Sequence, residues 1–259
     1  MLGKLLKYDF RANLKIFLFI WPAIIVFALL ERLLIEVAFS AGSIAQILVI
    51  MTLGIFALAL TGACIFAFVV SVIRFYSGLL RDEGYLMFTL PVKSWQLVLS
   101  KLISAFVFIA VTCLLSVVSG YFLLDAVPQF TDMLRFSVQT LAAQSGMNTA
   151  LLLLVAVNVA ISPAVLILQV YFSCSVGHLG KRLRVLWSIL TFYGVNVAVQ
   201  MVNMAAVLIF SSSLFDRLGL NEMQTAVLAQ TAAGAENLIL GIVFFFVSER
   251  ILRKHLNLE

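Results

Sequence analysis

The sequence predicts an all-α integral membrane protein with six transmembrane helices and both termini in the cytoplasm. Three observations carry this. First, 63% of the 259 residues are apolar and 11% charged, with a mean hydropathy of +1.14. Soluble domains average about 45–50% apolar and about 25% charged. That balance excludes ordinary soluble enzymes, secreted disulfide scaffolds and intrinsic disorder. Second, six long apolar runs approach or exceed the roughly 20 residues needed to cross a bilayer. They are continuous rather than alternating, which excludes barrel strands. Third, fourteen of the seventeen lysines and arginines lie on alternate connecting segments, and only Arg32, Arg135 and Arg217 lie on the others. Cation-rich loops stay inside, and an even number of spans returns the chain to the side it started from.

The chain reads as one transmembrane domain, with four prolines and fourteen glycines leaving little room for linkers. Residues 1–15 place Lys4, Lys7, Arg11 and Lys15 within an arc of about 80° on a helix, with leucines broadly opposite. An interfacial helix is expected, with cations toward lipid headgroups. Asp9 and Asn13 interrupt its apolar face and are expected at its solvated edge. The first span runs near 16–39. Glu31, Arg32 and Glu36 precede the weak Phe39-Ser40-Ala41 site, so a retained span is expected rather than a cleaved signal. The second span lies near 44–73, the third near 102–124, the fourth near 149–172, the fifth near 185–215 and the sixth near 230–248. Trp21-Pro22 and Ser162-Pro163 predict kinks in the first and fourth. Cys64, Cys113 and Cys174 sit inside apolar runs, which speaks against a structural disulfide framework.

The segment 74–101 carries the most information. Its aromatics, Phe75, Tyr85, Phe88 and Trp95, are too many for a solvated loop. Pro91 disfavours helix at Leu90, and Ser94 is a suitable N-cap for a helix leading into the third span. Helix, turn and helix are expected on the cytoplasmic side. An apolar-aromatic surface of this kind either anchors at headgroup depth or docks a partner.

The string Asp82-Glu83, Gly84-Tyr85-Leu86, Thr89-Leu90-Pro91-Val92, Gln96-Leu97 and Ser100-Lys101 resembles the loop between the second and third spans of ABC-2-type permeases. These are the membrane subunits of bacterial ATP-driven exporters. The opening MLGKLLKYDF is similar to the family's amphipathic first helix. The resemblance implies a coupling helix between the second and third spans, with Arg81, Asp82, Glu83, Gly84, Tyr85, Phe88, Leu90 and Pro91 docking a separate ATPase. It further implies a dimer with a second copy, location in the bacterial plasma membrane, and peptide or amphipathic cargo. ATP and Mg²⁺ would be bound by the partner, with no cofactor in this chain. The chain itself has no phosphate-binding Gly-x-x-x-x-Gly-Lys-[Ser/Thr]: Gly177-His178-Leu179-Gly180-Lys181-Arg182 has the wrong spacing and no hydroxyl after the lysine.

Within the fifth span, Tyr193, Asn196, Gln200 and Asn203 fall at steps of three, four and three, on one helix face. Amides facing lipid without partners are costly. The row is expected to make interhelical hydrogen bonds or to line a translocation path. In the resembled family the second and fifth spans flank the dimer axis, which favours the path. Glu236 is the one acid expected within a span. It either serves ion coupling or lies near the outer interface, since the resembled family has a re-entrant hairpin just before the last span. No Cys/His/acid set has metal-ligand spacing, no Ser-His-acid set is visible, and nothing suggests nucleic acid. The alternatives to an exporter subunit are a non-transporting membrane scaffold or immunity protein, and a secondary transporter using Glu236.

Overall fold

The computed structural model describes residues 2–41, 43–80, 92–124, 136, 149–180, 183–211 and 222–254. Every regular element among them is helical. They are α1 (Leu2–Ala41), α2 (Ser43–Phe75) running into a π-helical turn (Tyr76–Leu80), α3 (Ser94–Leu124), α4 (Thr149–Gly177), α5 (Arg184–Ser211) and α6 (Glu222–Lys254). All six α-helices are long and apolar enough to cross a membrane. Large apolar side chains also cover their outer surfaces: Phe19, Leu33, Leu58 and Val117 are all more than half exposed. In water that surface would be ruinous; in hydrocarbon it is the ordinary lipid-facing shell. The chain is a multi-pass membrane protein.

The chain splits into two compact units, residues 1–73 with 103–146 and residues 74–102 with 147–259. In the first, α1 and α3 run parallel. Asn13 Nδ2 donates to Ser104 Oγ at 3.2 Å and Trp21 Nε1 to Thr112 Oγ1 at 3.0 Å, both across 91 residues. Arg32 Nη1 reaches Phe122 O at 2.9 Å, across 90. An unchanged offset over so long a stretch is the mark of two helices pointing the same way. Phe10, Phe17 and Trp21 gather around the Phe108 ring, with centroids 4.8–5.7 Å away. α2 runs against both: Ala28 and Ile35 of α1 cluster with Phe56 and Val49 of α2 and Leu123 of α3. Successive crossings therefore alternate in direction.

The second unit repeats the logic. Asn158 Nδ2 donates to Gln230 O at 3.1 Å, and Phe172 stacks on Phe244 at 5.3 Å. Both pairs are 72 residues apart, so α4 and α6 run parallel. Val165, Leu168 and Phe244 form the apolar core between them. α5 returns antiparallel to α4 after a tight turn in which Gly180 N donates to Gly177 O at 3.2 Å. Leu183, at φ 56°, offers its carbonyl to Trp187 N at 3.1 Å and so begins α5.

Two expectations change. The stretch 1–15 is not a separate helix: α1 is continuous for 40 residues, about 60 Å. No glycine or proline interrupts Lys4–Trp21, and its buried positions stay in phase with those of the span. Pro22 and Pro163 lie inside α1 and α4. Residues 222–235 are not a hairpin before the last span; they are the first turns of α6. Five alanines there supply strong helix propensity.

Candidate functional site

Aromatic and polar contacts of the second unit surround the two flanks of the segment 81–91. On the leading flank, the Phe75 ring lies face to face with Tyr171 of α4, centroids 3.7 Å apart and planes 8° from parallel. Both side chains are fully buried. The next residue, Tyr76, meets the His178 ring edge-on at 6.3 Å. The π turn then buries Gly78, Leu79 and Leu80. On the trailing flank, Leu97 and Val98 at the start of α3 are buried. Tyr171 Oη donates to Lys101 O at 3.4 Å. The Lys101 side chain passes so close to Gly78 that a Cβ there would lie 3.2 Å from Nζ. Tyr171 thus touches both flanks, one with its ring face and one with its hydroxyl.

His178 caps this arrangement beyond the end of α4. Its two ring nitrogens are buried with no hydrogen-bond partner. Burial first, and the nearby Arg184 guanidinium second, pull its pKa below the ordinary histidine range. It packs as a neutral ring, which suits a residue held against Tyr76.

Arg81, Asp82, Glu83, Gly84, Tyr85, Phe88, Leu90 and Pro91 lie outside the described residues. The row on α5 is described, and three of its four residues point outward. Tyr193, Gln200 and Asn203 are exposed. Asn196, half-buried, donates to Phe192 O of its own helix at 2.9 Å. None of the four bonds to another helix among the described residues. No residue of α5 between Arg184 and Ala205 is buried; its half-buried side, through Ser188, Phe192, Val195 and Val199, is the one turned to the rest of its unit. Gln200 and Asn203 therefore stand beside the packed side and are left uncovered by the described residues. Glu236 is half-buried, the fifteenth residue of α6.

Residues outside the sequence-based site lie in α1. Asp9 and Asn13, expected at a solvated edge, are 6% and 4% exposed. They are buried because they share a face with Phe17, Ile24 and Ile35, against α3. Glu31, near the end of the first span, is 1% exposed, and its Oε2 has no hydrogen-bond partner among the described residues. Ala28 and Ile35, one turn either side, are in the apolar cluster. The neighbouring Arg32 turns elsewhere, to Glu36 at 3.4 Å, to Phe122 O, and over the Phe122 ring at 4.3 Å. The signal was in the sequence as helical phase: Asp9, Asn13 and Glu31 recur in step with Phe17, Ile24 and Ile35.

A groove of about 410 Å³ between α1 and α2 is lined wholly by apolar residues, among them Phe19, Phe27, Phe56, Gly62 and Phe66. It suits an acyl chain better than a polar solute. No group of three or more His, Cys, Asp or Glu able to hold a metal occurs among the described residues. No known family, curated protein or solved structure matches this chain.

Proposed function

We propose that this chain is the membrane-spanning permease subunit of an ATP-driven exporter of the ABC-2 type. It works as a dimer in the bacterial plasma membrane, with both termini cytoplasmic and peptides as cargo. A separate ATPase docks on residues 81–91 and hydrolyses ATP. The observation that carries this reading is the string from Asp82 to Lys101, which resembles the coupling segment of that family.

The packing around that segment supports it. A docking segment is useful only if displacement is passed on. Both flanks here are gripped by one buried residue, Tyr171, near the end of α4. Close-packed interiors transmit displacement rather than absorb it. ATP-driven closure of two ATPases would press on 81–91, move Phe75 and Lys101 together, and pull on α4. The permease halves would then rock as rigid bodies. The outward amides of α5 support a second copy, since Gln200 and Asn203 facing lipid alone carry a desolvation cost. A second copy against α5 would cover them and leave a polar path between the halves.

The test is purification of the tagged chain from native membranes in mild detergent. A Walker-motif ATPase at near one-to-one stoichiometry is expected. In reconstituted vesicles, Glu83→Ala and Tyr85→Ala should each lower ATP-dependent export by about tenfold or more, the usual consequence of removing an interface anchor, with helicity unchanged. Unaltered export in both variants, or a chain that purifies alone where a known exporter complex survives, would overturn the proposal.

A further inference from the structure

The first unit places two thiols in contact across two helices. Cys64 Sγ of α2 and Cys113 Sγ of α3 are 3.8 Å apart. Ser116 Oγ stands 3.6 Å from Cys64 Sγ on the same side. Both cysteines are free, Cys64 half-buried and Cys113 exposed. Both lie near the middle of their candidate spans, Ile47–Leu80 and Ser94–Leu123. The third cysteine, Cys174, is buried in the second unit and has no such neighbour.

Two sulfurs in van der Waals contact need only side-chain rotation to reach the roughly 2.05 Å of a disulfide, provided the Cβ atoms approach within about 4.5 Å. We infer that Cys64 and Cys113 form a reversible disulfide that staples α2 to α3 within the bilayer, with an organic hydroperoxide dissolved in the membrane as oxidant. The exposed Cys113 meets the oxidant first. Its sulfur attacks the terminal peroxide oxygen; the S–O bond forms and the O–O bond breaks. The departing alkoxide takes the thiol proton and leaves as an alcohol. Cys113 is then a sulfenic acid. The Cys64 sulfur attacks it; the S–S bond forms, the S–O bond breaks, and the hydroxide leaves with the Cys64 proton as water. Two thiols and one hydroperoxide become one disulfide, one alcohol and one water. Thiol exchange with an added dithiol restores the pair.

A sulfenic acid with a thiol already in contact is consumed intramolecularly, where well-oriented partners reach very high effective concentrations. That separates a paired site from a merely oxidisable cysteine. The consequence is mechanical: α2 and α3 lead into and out of 81–91, and the staple fixes their separation at mid-span. The inference does not depend on what docks there.

The experiment uses the full chain in phospholipid vesicles treated with cumene hydroperoxide, followed by acid quench, thiol blocking and non-reducing peptide mass mapping. A Cys64–Cys113 crosslink is expected within single chains, exceeding any crosslink to Cys174 by about tenfold or more, as contact-driven reaction requires. It should vanish on reduction and be unaffected by Cys174→Ser. In Cys64→Ser, the sulfenic acid at Cys113 should persist, and its capture by dimedone should rise about tenfold over the native chain, since the second thiol has been removed. Both thiols remaining blockable after treatment would overturn the inference. So would Cys113–Cys113 links between chains as the main product, or equal dimedone capture in the native chain and Cys64→Ser.

Discussion

The two units solve the same problem, joining apolar helices in a solvent as apolar as themselves, by different means. In the first, long side chains reach across. Asn13 bonds Ser104, Trp21 bonds Thr112, Arg32 bonds Phe122 O, and three aromatic rings surround Phe108. Its described glycines take no part in that packing: Gly3, Gly54, Gly62 and Gly120 have no neighbour within 4 Å of where a Cβ would sit. The second also has interhelical bonds, Asn158 to Gln230 O and Tyr171 to Lys101 O, and adds close approach at some of its glycines, though not at Gly194, where a Cβ would meet nothing within 4 Å. A Cβ at Gly234 would come 3.0 Å from Asn158 Oδ1, and one at Gly241 would lie 3.4 Å from Val165. Without a hydrophobic drive between helices in lipid, close backbone approach and interhelical hydrogen bonds remain as cohesive terms. Both units use the bonds, and the second adds the close approach.

The sharpest way to break this contrast is Gly177→Ala. A Cβ there overlaps Ser188 Oγ and lies 2.6 Å from Ser188 N and 2.8 Å from Arg184 O. Two of those three atoms are backbone, so α5 must shift. The expected loss is about 3 kcal/mol or more, at the upper end for overpacking, read as a lowered thermal midpoint in detergent. An unchanged midpoint would remove glycine contact as the principle of the second unit.

Next in size, with opposite sign, is Glu31→Leu. A fully buried carboxyl with an unpartnered oxygen among Ala28, Ile35 and their cluster is a standing cost. Replacing it with an apolar side chain should stabilise by about 1–3 kcal/mol, the price range of an unsatisfied buried polar group. A stabilised variant that has lost transport would mark Glu31 as kept for function. A destabilised one would mean that Glu31 has a partner that this arrangement does not show.

The helix count was legible because it rests on run length. Six helices follow from apolar stretches that approach or exceed the thickness of a bilayer, and Ser94 begins α3. Lateral packing was not legible, because mean hydropathy is blind to phase. Asp9 and Glu31 look like surface acids until the helix is wound, and then fall on its packed face. Register offsets depend on which side chains meet, as Trp21 meets Thr112, and one sequence does not fix that. The division into two units has no composition shift to announce it: α2 and α3 contribute residues to both. On α5 the polar row was legible as a row, but its facing was not.

Smaller effects sharpen the comparison. Thr112 is fully buried; it accepts from Trp21 Nε1 and donates to Phe108 O of its own helix at 2.8 Å. Thr112→Val keeps its shape and strands the indole N–H. The expected loss is about 0.6 kcal/mol and no more than about 1.7, the range found for hydrogen bonds between membrane helices. Pairing it with Trp21→Phe removes the stranded donor and should recover part of the loss; simple additivity would mean that the bond contributes nothing.

A comparably small effect, and the most discriminating against Gly177→Ala, belongs to Gly62→Ala. Gly62 is mid-helix in α2, on the wall of the apolar groove, with open space where a Cβ would go. Nothing opposes the methyl, and the helix gains from replacing its most flexible residue. Stabilisation of about 0.5–1 kcal/mol is expected from propensity alone. The same chemical change, one methyl on a helical glycine, should thus raise the midpoint in one unit and lower it in the other. Loss of stability at Gly62 would show that something outside this chain, a lipid tail or a second copy, packs tightly into that groove, and the first unit would then share the glycine-based cohesion of the second.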